Sequence, residues 1–322
     1  MTVVTRSPYL ILLPAVTVLC LLNGSNSSWQ MLTDTLQWDI FSQTVLELRL
    51  PRVLVAALVG AGLGIAGLLL QTVSGNQLAD PGIIGINQGA ALAVISTVIW
   101  QPQVNGLLLP LTGLGGGVLT ALTLWWLCRG MAPIALILTG IGLSTLLSAL
   151  TGCLLVFTET QRLATVMTWL AGSFSSTDAQ TLSVSFFWSL LLLPVAYIIC
   201  RQITPMLLDN DSARMLGSRT PFIEGAALLT ACALCAIAVA AAGTLSFAGL
   251  LAPHIARKLH PPQPAKLALP TLCYGAVLTM LADTLGRTLF APVQIPAGLM
   301  LALGGVPVFI LILLWQQRIL RH

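Results

Sequence analysis

Apolar runs about as long as a lipid bilayer is thick follow one another along almost the whole chain. Of its 322 residues 57% are hydrophobic and 7% are charged, and the mean hydropathy is +0.93. A soluble domain carries roughly 25% charged residues and uses them to cover its surface. Too little charge remains here for that purpose, so the solvent this sequence is written for is a membrane. A helix needs about 20 apolar residues to cross the hydrocarbon. Read against that length, the runs fall at 8–22, 51–73, 83–100, 107–127, 133–156, 182–200, 222–242, 246–259, 266–290 and 296–316, about ten spans, of which the first and eighth are short. The expected fold class is therefore all-α, a polytopic membrane protein forming one transmembrane domain over 1–322.

The distribution of charge orients this array. With the N-terminus in the cytoplasm and every span crossing, Arg6, Arg129, Arg201, Arg214, Arg219, Arg257, Lys258, Lys266, Arg318 and Arg321 all lie inside. Arg49, Arg52, Arg162 and Arg287 lie outside. That bias is the one the positive-inside rule requires, and dropping one early span would reverse much of it. Both termini are then expected in the cytoplasm of a cell with this chain in its inner (plasma) membrane. The net charge of +4 is read as this loop bias, and no nucleic-acid partner is expected. Arg6 and the apolar 8–22 also resemble a signal peptide, but no A-x-A-like cleavage site follows. A retained first helix fits the charge bias better.

Several features have bland readings. The seven cysteines are scattered through apolar segments, and Cys232-x-x-Cys235 has no His or acidic neighbour. They read as small buried hydrophobes rather than as a metal or redox pair. Gly60, Gly64 and Gly67 share one helix face, and Gly113 and Gly117 repeat the four-residue spacing. Small residues of this kind let helix backbones approach closely in lipid. No Gly-x-x-x-x-Gly-Lys-Ser/Thr occurs, so the chain carries no phosphate loop of that type. Ionisable groups within spans are few, chiefly Glu224 and Asp283 near predicted ends. Carriers driven by protons or sodium commonly hold carboxylates or His in mid-membrane, so the energy source is expected on another chain.

Four separated stretches carry the functional signal: Arg49-Leu50-Pro51-Arg52, Asn76 to Gly85, Leu207 to Gly217, and Gly243 to Arg257. With Leu281-Ala282-Asp283 and Ile295-Pro296-Ala297-Gly298, they closely resemble the FecCD family, the permease subunits of ABC importers for ferric siderophores, haem and vitamin B12. The resemblance covers nearly the whole chain after the first helix. It implies the BtuC-like permease fold of type II ABC importers with ten helices. It also implies a second permease, identical or paralogous, two ATPase subunits in the cytoplasm and a periplasmic substrate-binding protein. The chain itself would bind no cofactor and would not be an enzyme; ATP and magnesium would sit on the ATPase. Ferric siderophore is the expected cargo, with haem or vitamin B12 as alternatives. The rival from another class is a secondary carrier or channel that works without ATP.

The resemblance also suggests roles for residues. Arg49, Arg52 and Arg287 at the outer mouth would dock acidic residues of the binding protein, a task suited to a guanidinium that stays charged and pairs carboxylates in a planar fork. The bland alternatives are snorkelling to headgroups and, for Arg287, a local i,i+4 pair with Asp283. Leu208, Asp209, Asp211, Ala213, Arg214, Met215, Leu216 and Gly217 would form the coupling helices that rest on the ATPase. Pro81 and Gly82 build an irregular backbone at the inner end of the second span. Such backbone is tolerated at membrane depth only where protein buries it or a cavity wets it. The loop is a candidate inner gate, with Asn76 and Leu78 nearest the axis. Gln77 stands where the family has proline, which removes one source of loop rigidity. Thr139, Ser144, Thr145, Ser148 and Thr151 would line the passage between subunits, continued by Met167 and Trp169 in a Trp-x-x-Gly-Ser motif. Hydroxyls in a helix can equally satisfy themselves on the preceding turn. His254 reads as a packing or capping residue beside Pro253.

Overall fold

The computed structural model describes residues 8–23, 44–101, 108–128, 133–204 and 220–319. Among them, eleven α-helices follow in order: α1 Pro8–Leu22, α2 Leu50–Ser74, α3 Ile86–Trp100, α4 Leu108–Leu127, α5 Pro133–Val156, α6 Thr160–Leu170, α7 Ala179–Ile203, α8 Thr220–Ala242, α9 Ala248–Leu259, α10 Pro264–Thr288 and α11 Ala297–Ile319. A π-helical turn, Thr44–Arg49, leads into α2, and a 3-10 turn, Pro81–Ile84, precedes α3. No strand occurs among the described residues.

The centre of the fold is α2. It packs along α10, α8, α9 and α7. Its 25 residues give about 37 Å of helix, more than the roughly 30 Å of hydrocarbon. Pro51 sits in the first turn, where its missing N–H costs nothing. Gly75 ends the helix in the left-handed conformation, with φ 64°. The glycine face expected from sequence is the contact face. A Cβ on Gly60 would strike the carbonyl of Gly275 in α10, and one on Gly67 the carbonyl of Gly249 in α9. At Gly64 it would lie 2.9 Å from the Thr271 carbonyl oxygen. Thr279 Oγ1 of α10 donates across this seam to Ala56 O at 2.6 Å, one of the polar ties that hold helices together where lipid supplies no hydrophobic drive.

Five helical stretches are long and apolar enough to cross a membrane: Thr44–Ser74, Leu138–Val156, Ala179–Ile203, Phe222–Ala242 and Pro264–Thr288. Shorter apolar helices lie at Pro8–Leu22, Ile86–Trp100, Leu111–Leu127 and Ala297–Ile310. Two sequence expectations need correction. The eighth run is not a full span: α9 has 12 residues, about 18 Å, and an irregular stretch separates it from α8. Gly243 (φ 72°) and Phe247 (φ 68°) both turn the backbone into the left-handed region there. The stretch between the runs 133–156 and 182–200, outside every expected span, contains α6. Its 11 residues are too short and too polar for a hydropathy scan for spans to register.

Candidate functional site

Two polar clusters lie at opposite ends of α2. At the outer end Arg52 grips Asp283 of α10. Its Nη2 donates to Oδ1 at 2.7 Å and its Nε to Oδ2 at 2.9 Å, while Nη1 reaches Gln294 Oε1 at 3.1 Å. Asp283 is 2% exposed, so the guanidinium supplies the charge that its burial demands. Arg287 also approaches Asp283, with Nε 3.9 Å from Oδ2, as its i,i+4 spacing allowed. Its Nη2, however, donates to Cys20 O in the last turn of α1. Arg49 Nη1 donates to Leu21 O and Leu22 O at 3.2 and 3.3 Å. The last carbonyls of a helix have no partner within it and carry the negative end of its dipole. Two arginines, Arg49 and Arg287, thus close the C-terminus of α1.

Sequence reasoning placed Arg49, Arg52 and Arg287 together at one mouth, and the structure brings them together. It does not leave all three open to a partner. Arg49 and Arg287 are 8% and 4% exposed and turned onto α1. Arg52 keeps an exposed edge, through which it holds Gln294.

At the inner end the chain leaves α2 through Gly75–Gly85. Asn76 makes the turn: its Oδ1 accepts from Leu78 N at 2.9 Å and its carbonyl from Ala79 N at 3.1 Å. Asn76, Gln77 and Leu78 are exposed. Gln71, buried in the last turn of α2, donates from Nε2 to Ala79 O at 3.1 Å, and its Oε1 accepts from Arg257 Nη1 of α9 at 2.6 Å. Asp80 precedes the 3-10 turn, its carboxylate between Gly82 and Gly249. Burial pushes that carboxyl up to about 6, against the opposing pull of the Gly82 backbone hydrogen bond. A cavity of about 350 Å³ opens beside the loop, lined by Gln71, Gln77, Arg257, Pro262 and Leu267 among others.

The inner loop also meets α5. A Cβ on Gly85 (φ 93°) would lie 3.2 Å from the backbone of Ser144, so Ser144 is a packing point for the loop. Ser144 and Thr145 both donate to Ile141 O, at 3.0 and 2.9 Å, the local satisfaction open to helical hydroxyls. Ser148 is exposed, Thr139 half-buried and Thr151 buried. Apolar side chains of α5 face outward beside them, with Leu138 72% and Leu146 57% exposed.

Met167 is exposed and Trp169 half-buried on α6. The Trp-x-x-Gly-Ser motif is a joint between three helices. Gly172 N donates to Trp169 O at 3.0 Å, Ser173 N to Ala242 O at 2.8 Å, and Gly298 N to Gly172 O at 2.9 Å. Thr244 Oγ1 closes the joint on Leu170 O. The coupling residues Leu208, Asp209, Asp211, Ala213, Arg214, Met215, Leu216 and Gly217 lie outside the described residues. Gln71 was missed as an inner-end residue, and Asp80 lay within the expected gate loop without a role of its own; a lone amide at the end of an apolar helix was the available signal for Gln71.

The sequence profile of the FecCD transport family matches residues 10–315. The chain belongs to the FecCD transport family. It is 38% identical over 277 residues to the achromobactin transport system permease protein CbrC of Dickeya dadantii, covering 85% of this chain and 79% of that one. It is 33% identical over 283 residues to the Fe(3+) dicitrate transport system permease protein FecD of Escherichia coli, covering 88% and 89%. Among solved structures, a metal-chelate type ABC transporter in an inward-facing conformation superposes with a TM-score of 0.84 at 28% identity, covering 95% of this chain and 97% of the other. Membership in FecCD makes this a multi-pass membrane protein and a transport subunit.

Proposed function

We propose that this chain is the membrane-spanning permease of an ATP-driven importer for an iron complex of the ferric siderophore class. One observation carries the reading: relatives matched over more than four fifths of this chain transport achromobactin, iron(3+)-hydroxamate or Fe(3+) dicitrate. Haem and vitamin B12 are the alternatives within the same class. Hydrolysis would take place on two separate ATPase subunits in the cytoplasm, contacted through Leu208–Gly217. A second permease would complete the passage. The 43% coverage of the E. coli permease FhuB supports pairing, since that chain has length for two units of this size. Outward apolar residues of α5, with Ser148 on the same helix and Met167 on α6, would face the passage or the paired subunit.

The outer cluster would receive a substrate-binding protein from the periplasm. Arg52 offers its charge directly, while Arg49 and Arg287 hold α1 and the mouth in shape. Asn76 and Leu78, exposed on the inner loop, would form the gate. The positive-inside bias supports both termini in the cytoplasm. The reading is tested by deleting the gene in its host and following uptake of radioactive iron presented as several siderophores, as haem iron and as free citrate complex. Loss of uptake of at least one iron complex, restored by the intact gene, is expected. Unchanged uptake of all of them would refute an iron cargo.

A further inference from the structure

We infer that Arg257 and Gln71 form a latch that sets the position of the inner loop, which makes both of them positioning residues for the gate. The two are 186 positions apart in sequence and meet at 2.6 Å. Gln71 is 2% exposed and uses each end of its amide once. Oε1 accepts from the guanidinium and Nε2 donates to Ala79 O at 3.1 Å. A guanidinium has only donors, so Arg257 dictates which way the amide faces. Turned over, the amide would present N–H to N–H on one side and oxygen to oxygen on the other. The charge on α9 thereby fixes the one donor that holds the loop carbonyl. Among the described residues, Gln71 is the only side chain that Arg257 hydrogen-bonds.

The surroundings fit a latch that can be worked. The cavity of about 350 Å³ lies against Gln71, Gln77 and Arg257, giving the guanidinium room to leave. α9 is seated on both α2 and α10, so a shift of α9 against α2 is carried to this bond. The loop depends on such an anchor. Gln77, unlike proline, leaves its φ free, and the remaining ties of Asn76 are local to its own turn.

The word gate rests on the function proposed above; the anchoring of the loop does not. The two are separated by reading hydrogen exchange of loop amides in the purified complex beside ATP-driven uptake. Gln71→Glu keeps an acceptor for Arg257 and removes the donor to Ala79. Arg257→Gln removes the charge that orients the amide. Each is expected to speed exchange at the Leu78 and Ala79 amides about tenfold, the loss of one hydrogen bond of this kind. Exchange in the α2 and α10 interiors should stay unchanged, and iron moved per ATP should fall. Gln71→Met, uncharged and similar in size, replaces the glutamate variant if that fails to assemble. Loop exchange unaltered in both variants, or raised equally along α2 and α10, would overturn the latch. Absence of ATP-driven uptake in the unaltered complex would instead strike the proposed function.

Discussion

Arg52 and Asp283, 231 positions apart, close α2 onto α10 with a two-pronged ion pair at the outer mouth. Asp283 is almost wholly buried and Arg52 partly exposed, 2% and 15% of the side chain. The carboxylate is sealed in the fold, while the guanidinium keeps an exposed edge.

Arg52→Ala should strand the buried carboxylate. Removing one member of a buried pair costs about 3–5 kcal/mol; Arg287 at 3.9 Å takes over part of that charge, so a loss of about 3 kcal/mol is expected. Mixed-micelle unfolding measures it, and the double variant with Asp283→Ala should lose less than the two single changes summed. Arg52→Lys, which keeps a charge beside Asp283 but loses the planar fork, should recover part of the stability yet weaken association with the binding protein in a pull-down. Retained association would remove Arg52 from the docking surface.

The glycines of α2 make a graded prediction across two of its faces. At Gly62, which looks toward α8, an added Cβ meets among the described residues only Leu234 Cδ2 at 3.7 Å, so Gly62→Ala should be neutral or gain up to about 1 kcal/mol in helix propensity. At Gly64 it meets the Thr271 carbonyl oxygen at 2.9 Å and Ala252 Cβ at 3.2 Å. Backbone there cannot yield cheaply, and Gly64→Ala should cost about 1–3 kcal/mol. Thermal unfolding in detergent compares the two.

Asp80 predicts a pH response of the inner loop. Its carboxyl titrates at about 6 in the fold against 3.8 for the free group. The folded loop therefore binds the proton more tightly than the unfolded chain. Its contribution to stability is complete below the unfolded value and is lost as pH rises through about 6. Exchange at the loop amides, corrected for intrinsic chemistry, should quicken between these limits as pH rises. Asp80→Asn should flatten that dependence, and an unchanged profile would show that another group sets it.

Capping of α1 by arginine is testable at Arg49. Its bonds to Leu21 O and Leu22 O involve a charged donor, a class worth about 1.5–3 kcal/mol each. Arg49→Met should fray the last turn of α1 and speed hydrogen exchange of the Leu22 and Asn23 amides. Exchange at the same rate in both proteins would contradict the cap.

Much of this was legible in the sequence because lipid imposes length. The runs near 51–73, 133–156, 222–242 and 266–290 each became a long helix, and Gly60, Gly64 and Gly67 fell on the contact face that their spacing implied. What escaped was not written in the length of the apolar runs. The helix α6 is short and polar, and α9 looked apolar enough to cross but lacks the length. That Arg49 and Arg287 would turn onto α1 depends on where the carbonyls of Cys20 to Leu22 come to rest, which one-dimensional charge counting does not register. The meeting of Gln71 with Arg257 depends likewise on the route of two distant helices.

The most direct test of the central claim is uptake of a radioactive ferric siderophore into vesicles holding this chain with the proposed ATPase, paired permease and binding protein. Uptake should require ATP inside the ATPase compartment and all of these partners, and should stop when the ATPase is omitted. Iron-complex transport by this chain alone, unaffected by ATP, would contradict it and point to a self-sufficient carrier or channel.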